Sequence, residues 1–99
     1  MAKILHPDGT VELLFGNEVG ERLSKIQTQG LLGYDTIIYT LDPKITDGYN
    51  CLLGSLPTEK SCFGPLNNLA TAILKLNDKR DMIFGNSILC QRDSQGRYY

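Results

Sequence analysis

The last third of the chain limits the possible folds more than any other part of the sequence. Residues 64–76 read GPLNNLATAILKL, so two asparagines precede apolar side chains at helical spacing. Because an asparagine oxygen can accept hydrogen bonds from the free N–H groups of a first helical turn, this pattern predicts a helix from about Asn68 to Leu76. The residues that we expect on its buried face are Leu69, Ala72, Ile73 and Leu76. A charged turn and a second apolar run then predict a buried strand at residues 82–91.

The first third predicts a hairpin followed by a helix. Two short apolar segments, residues 3–6 and 10–15, are separated by Pro7-Asp8-Gly9, in which proline presets the turn and glycine accepts a positive φ. Asn17 can then cap a helix that ends near Gly30. The apolar residues on one face of this first helix are Val19, Leu23 and Ile26.

Two strands are predicted in the middle of the chain. Residues 34–41 are rich in β-branched and aromatic side chains, and the Asp42-Pro43 pair ends this strand. A second strand is predicted at residues 49–54, followed by a long irregular segment. Alternation along the first of these strands places Ile37, Tyr39 and Leu41 inward and Tyr34, Thr36 and Thr40 on the more polar face.

These elements define the expected fold class. With 99 residues, of which 41% are hydrophobic, the chain suffices for one core and is too short for two. We therefore expect a single α+β domain over residues 1–99, with the order ββαββαβ and a mixed or antiparallel sheet carrying two helices. Residues 92–99 contain too few apolar side chains to pack, so we expect this tail to fray.

Charge and composition argue against several functional classes. Ten Lys and Arg against eleven Asp and Glu give a net charge of -1 without any basic run, which argues against general nucleic-acid binding. No segment approaches the ~20 apolar residues of a membrane span. The three cysteines form no CxxC motif and the first residues do not resemble a signal peptide, so we expect a cytoplasmic protein with reduced thiols. Cys51 and Cys90 are expected to be small buried apolar residues.

No arrangement of residues predicts catalysis, a metal or a cofactor. A single histidine, His6, and three scattered cysteines lack the spacing of metal ligands. Nucleophilic catalysis by Cys62 would need His6 as the base and Asn67 as the orienting group, and nothing in the sequence brings these three together. We therefore expect a protein that is not an enzyme and that needs no cofactor.

Two sets of residues are nevertheless candidates for binding. The N–H groups at the start of the second helix could hold a small anion such as a nucleotide, and the alternative for its asparagines is simple capping. The residues of this candidate anion site are Lys60, Ser61, Gly64, Asn67 and Asn68. Exposed tyrosines offer a large contact area at little entropy cost. The candidates for binding a protein partner are Tyr34, Tyr98 and Tyr99.

Residues 65–71, PLNNLAT, and residues 83–89, IFGNSIL, carry a family resemblance. With further likeness at residues 8–12 and 33–34, the chain resembles an uncharacterised family of small proteins from bacteriophages, plasmids and bacterial genomes, which is defined only as a domain of unknown function. It differs from that pattern by a longer, cysteine-containing loop between Leu53 and Gly64. The resemblance implies an accessory protein of a mobile element, without an assigned activity.

The expected function is accordingly binding. We expect a small accessory interaction protein, encoded by a phage or plasmid and acting on a host protein or defence system. The alternative is a protein that binds or sequesters a small ligand, a nucleotide or another anion, with the loop at residues 60–68 and the N-terminus of the second helix. Because a chain of this size has a modest core, homo-oligomerisation is compatible with either function.

Overall fold

The computed structural model describes residues 2–15, 36–55 and 65–98, which contain an antiparallel sheet and a helix. The strands are β1 (Ala2–Leu5), β2 (Val11–Leu14), β3 (Thr36–Thr40), β4 (Cys51–Ser55) and β5 (Ser87–Cys90), and the helix is α1 (Asn68–Leu76). The strands lie in the order β2-β1-β5-β4-β3, and each neighbouring pair is antiparallel. The last strand in the chain, β5, therefore lies at the centre of the sheet.

The predicted α+β class is confirmed, while the predicted order ββαββαβ is matched only in part. The described residues supply five strands and the second predicted helix, and their sheet is antiparallel throughout. The first predicted helix, from Asn17 to Gly30, lies outside the described residues. Within the described ranges, no helix has the length and apolar character that crossing a membrane requires.

The turn between β1 and β2 confirms the predicted hairpin. The Gly9 N–H donates to the His6 carbonyl at 3.0 Å, and the His6 N–H donates to the Thr10 carbonyl at 2.9 Å. Gly9 has a φ of 92°, a backbone conformation that residues with a Cβ rarely adopt. A carboxylate oxygen of Asp8 accepts hydrogen bonds from the hydroxyl and the N–H of Thr10, and these contacts lower the pKa of Asp8.

The helix packs on the sheet with a different face from the predicted one. Its buried residues are Ala70, Thr71 and Leu74. Ile73 is only partly buried against the same core, and Leu76 is 63% exposed. The prediction that Leu69, Ala72 and Leu76 face the core is therefore wrong.

A hydrogen bond explains why a polar residue lies on the buried face of α1. The Thr71 hydroxyl accepts from the backbone N–H of Ile83 at 3.1 Å. Ile83 itself is fully buried under the helix, so its N–H needs a partner inside the protein. Thr71 supplies that partner, and the rotation of the helix about its axis follows from this contact and from the burial of Leu74.

Both faces of the sheet contribute to buried clusters. The face that α1 covers, called here the helix face, belongs to a cluster that contains Leu5, Tyr39, Leu41, Tyr49, Leu52, Ala70, Leu74, Ile83 and Leu89. The opposite face, called here the cysteine face, contains Ala2, Ile4, Leu14, Cys51, Leu53, Ile88 and Cys90. The inward orientation predicted for Tyr39 and Leu41 is confirmed. Thr40 is exposed, but as the register partner of Cys51 it lies on the apolar cysteine face and not on a more polar one.

The strand β5 is shorter than the strand predicted at residues 82–91. The residues before it bond to the start of the helix instead of to the sheet. The Asn67 N–H donates to the Ile83 carbonyl at 2.7 Å, and the Gly85 N–H donates to the Pro65 carbonyl at 2.9 Å. Since these groups are already paired, the ladder begins only at Ser87.

The sequence predicts fraying at residues 92–99, whereas residues 92–98 form a closed turn in the structure. Arg92 and Tyr98 form an antiparallel bridge. The Asn50 side chain accepts from the Arg92 N–H at 2.8 Å and donates to the Arg92 carbonyl at 3.0 Å. Tyr98 packs against the cysteine face. These contacts hold the segment in place even though it contains few apolar residues.

Candidate functional site at the outer edge of the sheet

Asn67, the central residue of the predicted anion site, lies in the core with its hydrogen bonds satisfied. It is 0% exposed. Its Nδ2 donates to the carbonyl oxygens of Leu5 and Gly85, each at 2.9 Å, and its Oδ1 accepts from the Ala70 N–H at 3.1 Å. The side chain is therefore the N-cap of α1, and it also connects the helix start by hydrogen bonds to the end of β1 and to the segment before β5. Its geometry is that of a structural residue.

Of the other residues of the predicted anion site, the structure describes only Asn68, so their grouping stays a prediction. Asn68 follows the cap and is exposed. Lys60, Ser61 and Gly64 lie outside the described residues. What the structure describes at this position is an ordinary helix start.

Of the tyrosines predicted to bind a partner, Tyr98 is the one that the structure describes. Its ring packs partly buried against the cysteine face, and the central guanidinium carbon of Arg92 lies 5.5 Å from the ring centroid. Burial raises the pKa of the Tyr98 hydroxyl. Tyr98 thus anchors the C-terminal turn. Tyr34 and Tyr99 lie outside the described residues.

The described residues show no grouping for metal binding. Among them, no three His, Cys, Asp or Glu side chains could jointly hold a metal ion. The His6 Nδ1 lies 3.0 Å from the Asn86 Oδ1, and the His6 Nε2 lies 3.9 Å from the Glu12 Oε2. Cys62, the third member of the nucleophilic arrangement considered from the sequence, lies outside the described residues.

Three large apolar side chains are exposed along β2 and just beyond its end. Val11, Leu13 and Phe15 are 45%, 47% and 57% exposed. Because side chains alternate along a strand, the first two point to the helix face, and the third continues the same spacing. Leu14 points the other way and is buried in the cysteine face. We call Val11, Leu13 and Phe15 the β2 patch.

The backbone of β2 offers hydrogen-bonding groups at the same place. The His6 N–H bonds to the Thr10 carbonyl, and paired residues in an antiparallel ladder alternate between bonded and non-bonded positions. This alternation turns the N–H and C=O of Glu12 toward β1, and those of Val11 and Leu13 away from it. In the described sheet β2 is an outer strand whose neighbour is β1. The outward groups therefore lie along the sheet edge.

The sequence alone does not identify the β2 patch. The apolar alternation of Val11, Leu13 and Phe15 is visible in it, but alternation of this kind usually indicates burial. These residues are exposed because β2 lies at the outer edge of the described sheet. Among the described residues, the cluster under α1 takes members from β1, β3, β4 and β5 and none from β2. The helix covers the centre of the described sheet, and the side chains of the β2 patch beyond it are exposed.

Within residues 2–15, 36–55 and 65–98, the other exposed apolar side chains do not form a comparable line. They are Ile38, Ile45, Leu69, Leu76 and Met82. Single exposed apolar residues are common on protein surfaces and need no functional explanation. The β2 patch differs because three such residues follow one another along an outer strand whose backbone groups also point outward.

Comparisons with known proteins assign no family to the chain. A scan against protein-family models finds no match, and searches of the curated proteins and of the solved structures find no significant match. The resemblance of residues 65–71 and 83–89 to a phage and plasmid family therefore stays a hypothesis. The candidate site is identified from the exposed side chains and backbone groups of β2 and not from a related protein.

Proposed function

We propose that this protein acts by binding another protein, an extended apolar segment of which pairs with β2 as an additional strand. The observation that supports this proposal is the coincidence, along one outer strand, of three exposed apolar side chains with outward-pointing backbone groups. In this mode of recognition, main-chain hydrogen bonds give affinity, and contacts to alternate side chains give specificity.

The composition of β2 favours binding over a merely inert surface. Outer strands expose unpaired backbone groups that promote aggregation, and proteins usually protect them with lysine, proline or a bulge. The sequence of β2 is VELL, whose one charged residue, Glu12, is opposite Ile4 and so points to the cysteine face. The β2 patch carries no charge of its own.

The lysine paired with the centre of the patch is already engaged within the protein. Lys3 is the register partner of Leu13 on β1, so its side chain leaves the sheet on the same face. The Lys3 Nζ lies 5.5 Å from the centroid of the Tyr49 ring, a cation–π contact directed toward the middle of the sheet. An uncharged apolar strand is therefore the partner segment that fits this edge.

The biological setting is the second part of the proposal. The partner is a host protein, and the chain serves a phage or plasmid as an accessory factor that acts on that host protein without catalysing a reaction. This part is supported by the resemblance of residues 65–71 and 83–89, whereas the binding mode is supported by β2.

Site-specific photo-crosslinking tests the binding mode. A photoreactive phenylalanine analogue replaces Leu13 in one sample and Ile38 in the other, in cells of a bacterial host. Ile38 is the matched control because it is 45% exposed and lies on the opposite outer strand, β3. We expect a discrete cross-linked protein from position 13 that wild-type chain competes away and that Leu13→Glu chain does not.

Equal cross-linking from both positions, or equal competition by the Leu13→Glu chain, would contradict the proposal. Cross-links between two copies, with a dimer in sedimentation, would show that a second copy occupies the edge instead. Thermal stabilisation by nucleotides or inorganic phosphate that Lys60→Ala abolishes, without a cross-link from position 13, would favour the anion-binding alternative.

A further inference from the structure

We propose that Cys51 and Cys90 form a peroxide-reactive dithiol, in which Cys51 is oxidised first and Cys90 closes a reversible disulfide. This inference is independent of the proposed binding function. It concerns the cysteine face of the sheet, whereas the β2 patch lies on the helix side.

The two cysteines are direct neighbours across two strands. Cys51 of β4 and Cys90 of β5 are register partners, and both side chains belong to the cysteine face. Paired residues of antiparallel strands have Cα atoms about 4.5–5.5 Å apart, within the range of about 4.4–6.8 Å that disulfides span. Both thiols are free in the structure.

The same strand geometry indicates that the disulfide is reversible. Cβ atoms of directly paired residues are about 4.5–5.5 Å apart, and a disulfide prefers about 3.5–4.5 Å. Closing the Cys51–Cys90 bond therefore needs a small approach of β4 and β5 and leaves the bond strained. Strained disulfides are reduced more readily than relaxed ones.

The two thiols have unequal acidity. A hydrogen bond from the Cys90 thiol lowers the pKa of Cys51, and the Arg92 guanidinium lowers it as well, in opposition to the effect of burial. The same hydrogen bond, together with burial, raises the pKa of Cys90. Since the thiolate is the nucleophilic form, the lowered pKa of Cys51 agrees with attack by this thiol, which lines a surface cleft.

A surface cleft gives small molecules a route to Cys51. The cleft has a volume of about 400 Å³ and lies between β3 and the C-terminal turn, and Cys51 is one of its lining residues. On one side lies Thr40, the exposed register partner of Cys51 on β3. On the other lie the charged groups Arg92 and Asp93. Cys51 and Cys90 are 2% and 0% exposed, and of the two Cys51 alone is among the residues that line the cleft.

The reaction consumes one peroxide for each disulfide. The Cys51 thiolate attacks one peroxide oxygen, the O–O bond breaks, and the departing hydroxide takes a proton to become water, which leaves a sulfenic acid on Cys51. The Cys90 sulfur then attacks the Cys51 sulfur, and the S–O bond breaks. The released hydroxide combines with the Cys90 proton as a second water. Two thiols are oxidised to one disulfide, and the peroxide is reduced to two waters.

Mass spectrometry on the full chain with Cys62→Ser tests this, because Cys51 and Cys90 are then its two thiols. After hydrogen peroxide treatment and alkylation in denaturant, we expect a monomer that is lighter than the reduced chain by two hydrogens and takes no alkyl group. Dithiothreitol should restore both alkylation sites. A folded chain that keeps both thiols, or that accumulates sulfinic acid without a disulfide, would overturn the proposal.

Single substitutions in the same background test which thiol attacks. Cys90→Ser should yield a sulfenic acid on Cys51 that dimedone traps, whereas Cys51→Ser should leave Cys90 unreacted on the same timescale. Circular dichroism checks that each variant is folded, and alanine replaces serine where it is not. In urea the preference should vanish, since both thiols are then equally solvated. Trapping at Cys90 rather than Cys51 in the folded chain would contradict the assignment.

The oxidation rate of an Arg92 variant provides a further test. If the two cysteines were only structural, this rate would not depend on Arg92. Arg92→Gln should slow the oxidation of Cys51 several-fold, because the thiolate loses a nearby cation. Arg80→Gln is the control, since Arg80 is exposed and does not line this cleft. Equal rates for the two arginine variants would contradict the role of Arg92 and, with it, the activation of Cys51.

Discussion

The side-chain amide of Asn67 donates a hydrogen bond to the carbonyl oxygen of Leu5, which lies 62 residues away in the chain, at 2.9 Å. The second N–H of the same amide donates to the Gly85 carbonyl, and its oxygen caps α1 at Ala70. One buried side chain thus joins the end of β1, the beginning of α1 and the segment before β5.

Asn67→Ala should destabilise the protein by more than the loss of an ordinary cap. Two carbonyl oxygens and one N–H would lose their buried partner, and each such group costs ~1–3 kcal/mol. We expect the free energy of unfolding to fall by ~3 kcal/mol or more, against ~0.5–2 kcal/mol for a simple cap. Urea denaturation measures the change, with Asn68→Ala at the exposed neighbour as the control.

Asn67→Asp separates the two roles of this residue. Aspartate is a good N-cap, so if capping were all that Asn67 contributes, this variant would be nearly as stable as the wild type. An ionised carboxylate cannot donate to the Leu5 and Gly85 carbonyls, and it would face them as a buried charge. We therefore expect Asn67→Asp to be at least as destabilised as Asn67→Ala. If Asn67→Asp were nearly as stable as the wild type, the hydrogen bonds from Asn67 to the Leu5 and Gly85 carbonyls would not contribute to stability as proposed.

Leu74→Ala and Leu76→Ala should differ strongly although they remove the same atoms from the same helix. Leu74 is 0% exposed, so its truncation should cost ~2–5 kcal/mol, whereas Leu76 is 63% exposed and its truncation should cost below ~1 kcal/mol. Equilibrium unfolding of both variants measures the difference. A larger loss for Leu76→Ala than for Leu74→Ala would mean that α1 buries Leu76, as the sequence predicts.

Gly54→Ala should destabilise the core beneath α1. A Cβ at this position would lie 2.8 Å from the Ile83 Cδ1 and 3.2 Å from its Cγ2, and Ile83 is fully buried. We expect a loss of ~1–3 kcal/mol from overpacking. Ile83→Val removes the nearer atom, so the double variant should lose less stability than the sum of the two single losses. A double-mutant cycle measures this coupling, and simple additivity would contradict the close approach.

The Tyr39 hydroxyl should make stability sensitive to alkaline pH. Burial raises the pKa of Tyr39 well above its usual value, and the hydrogen bond from this hydroxyl to Asp81 at 3.0 Å raises it further. Because the folded pKa exceeds the unfolded one, the contribution is complete below the unfolded value of 10.0 and is lost as pH rises toward the folded one.

Tyr39→Phe provides the corresponding measurement. Near neutral pH this variant should be less stable than the wild type by ~0.5–1.5 kcal/mol, the contribution of one hydrogen bond. The stability gap should narrow as the pH rises above 10.0, where unfolding lets the wild-type phenol ionise. Urea titrations of both proteins across this range measure the gap. A gap that stays constant would contradict the raised pKa.

Local sequence signals predicted much of the fold. Pro7-Asp8-Gly9 predicted the hairpin, because its turn is closed by residues within the segment. The Asn67 cap and the apolar spacing after it predicted the bounds of α1. Alternation predicted that Tyr39 and Leu41 are buried. In each case the feature depends on interactions between residues close in sequence, or on the regular spacing of apolar residues along one element.

The remaining features depend on contacts between distant segments. The buried face of α1 is set by the Thr71 contact with the Ile83 N–H, and a threonine in a helix does not indicate such a bond from sequence. The exposure of Leu13 follows from the outer position of β2, and strand order cannot be read from alternation. Register likewise brings Cys51 beside Cys90 across a gap of dozens of residues.

The central position of β5 has a consequence for synthesis on the ribosome. In the described sheet, β1 and β4 are joined only through Ser87–Cys90, the strand that follows the other described strands in the chain. Until this strand leaves the exit tunnel, the two hairpins lack the strand that connects them. Pairings between residues far apart in sequence also form slowly. This sheet is thus completed only after Ser87–Cys90 have been translated, and the nascent chain exposes apolar strand surfaces until then.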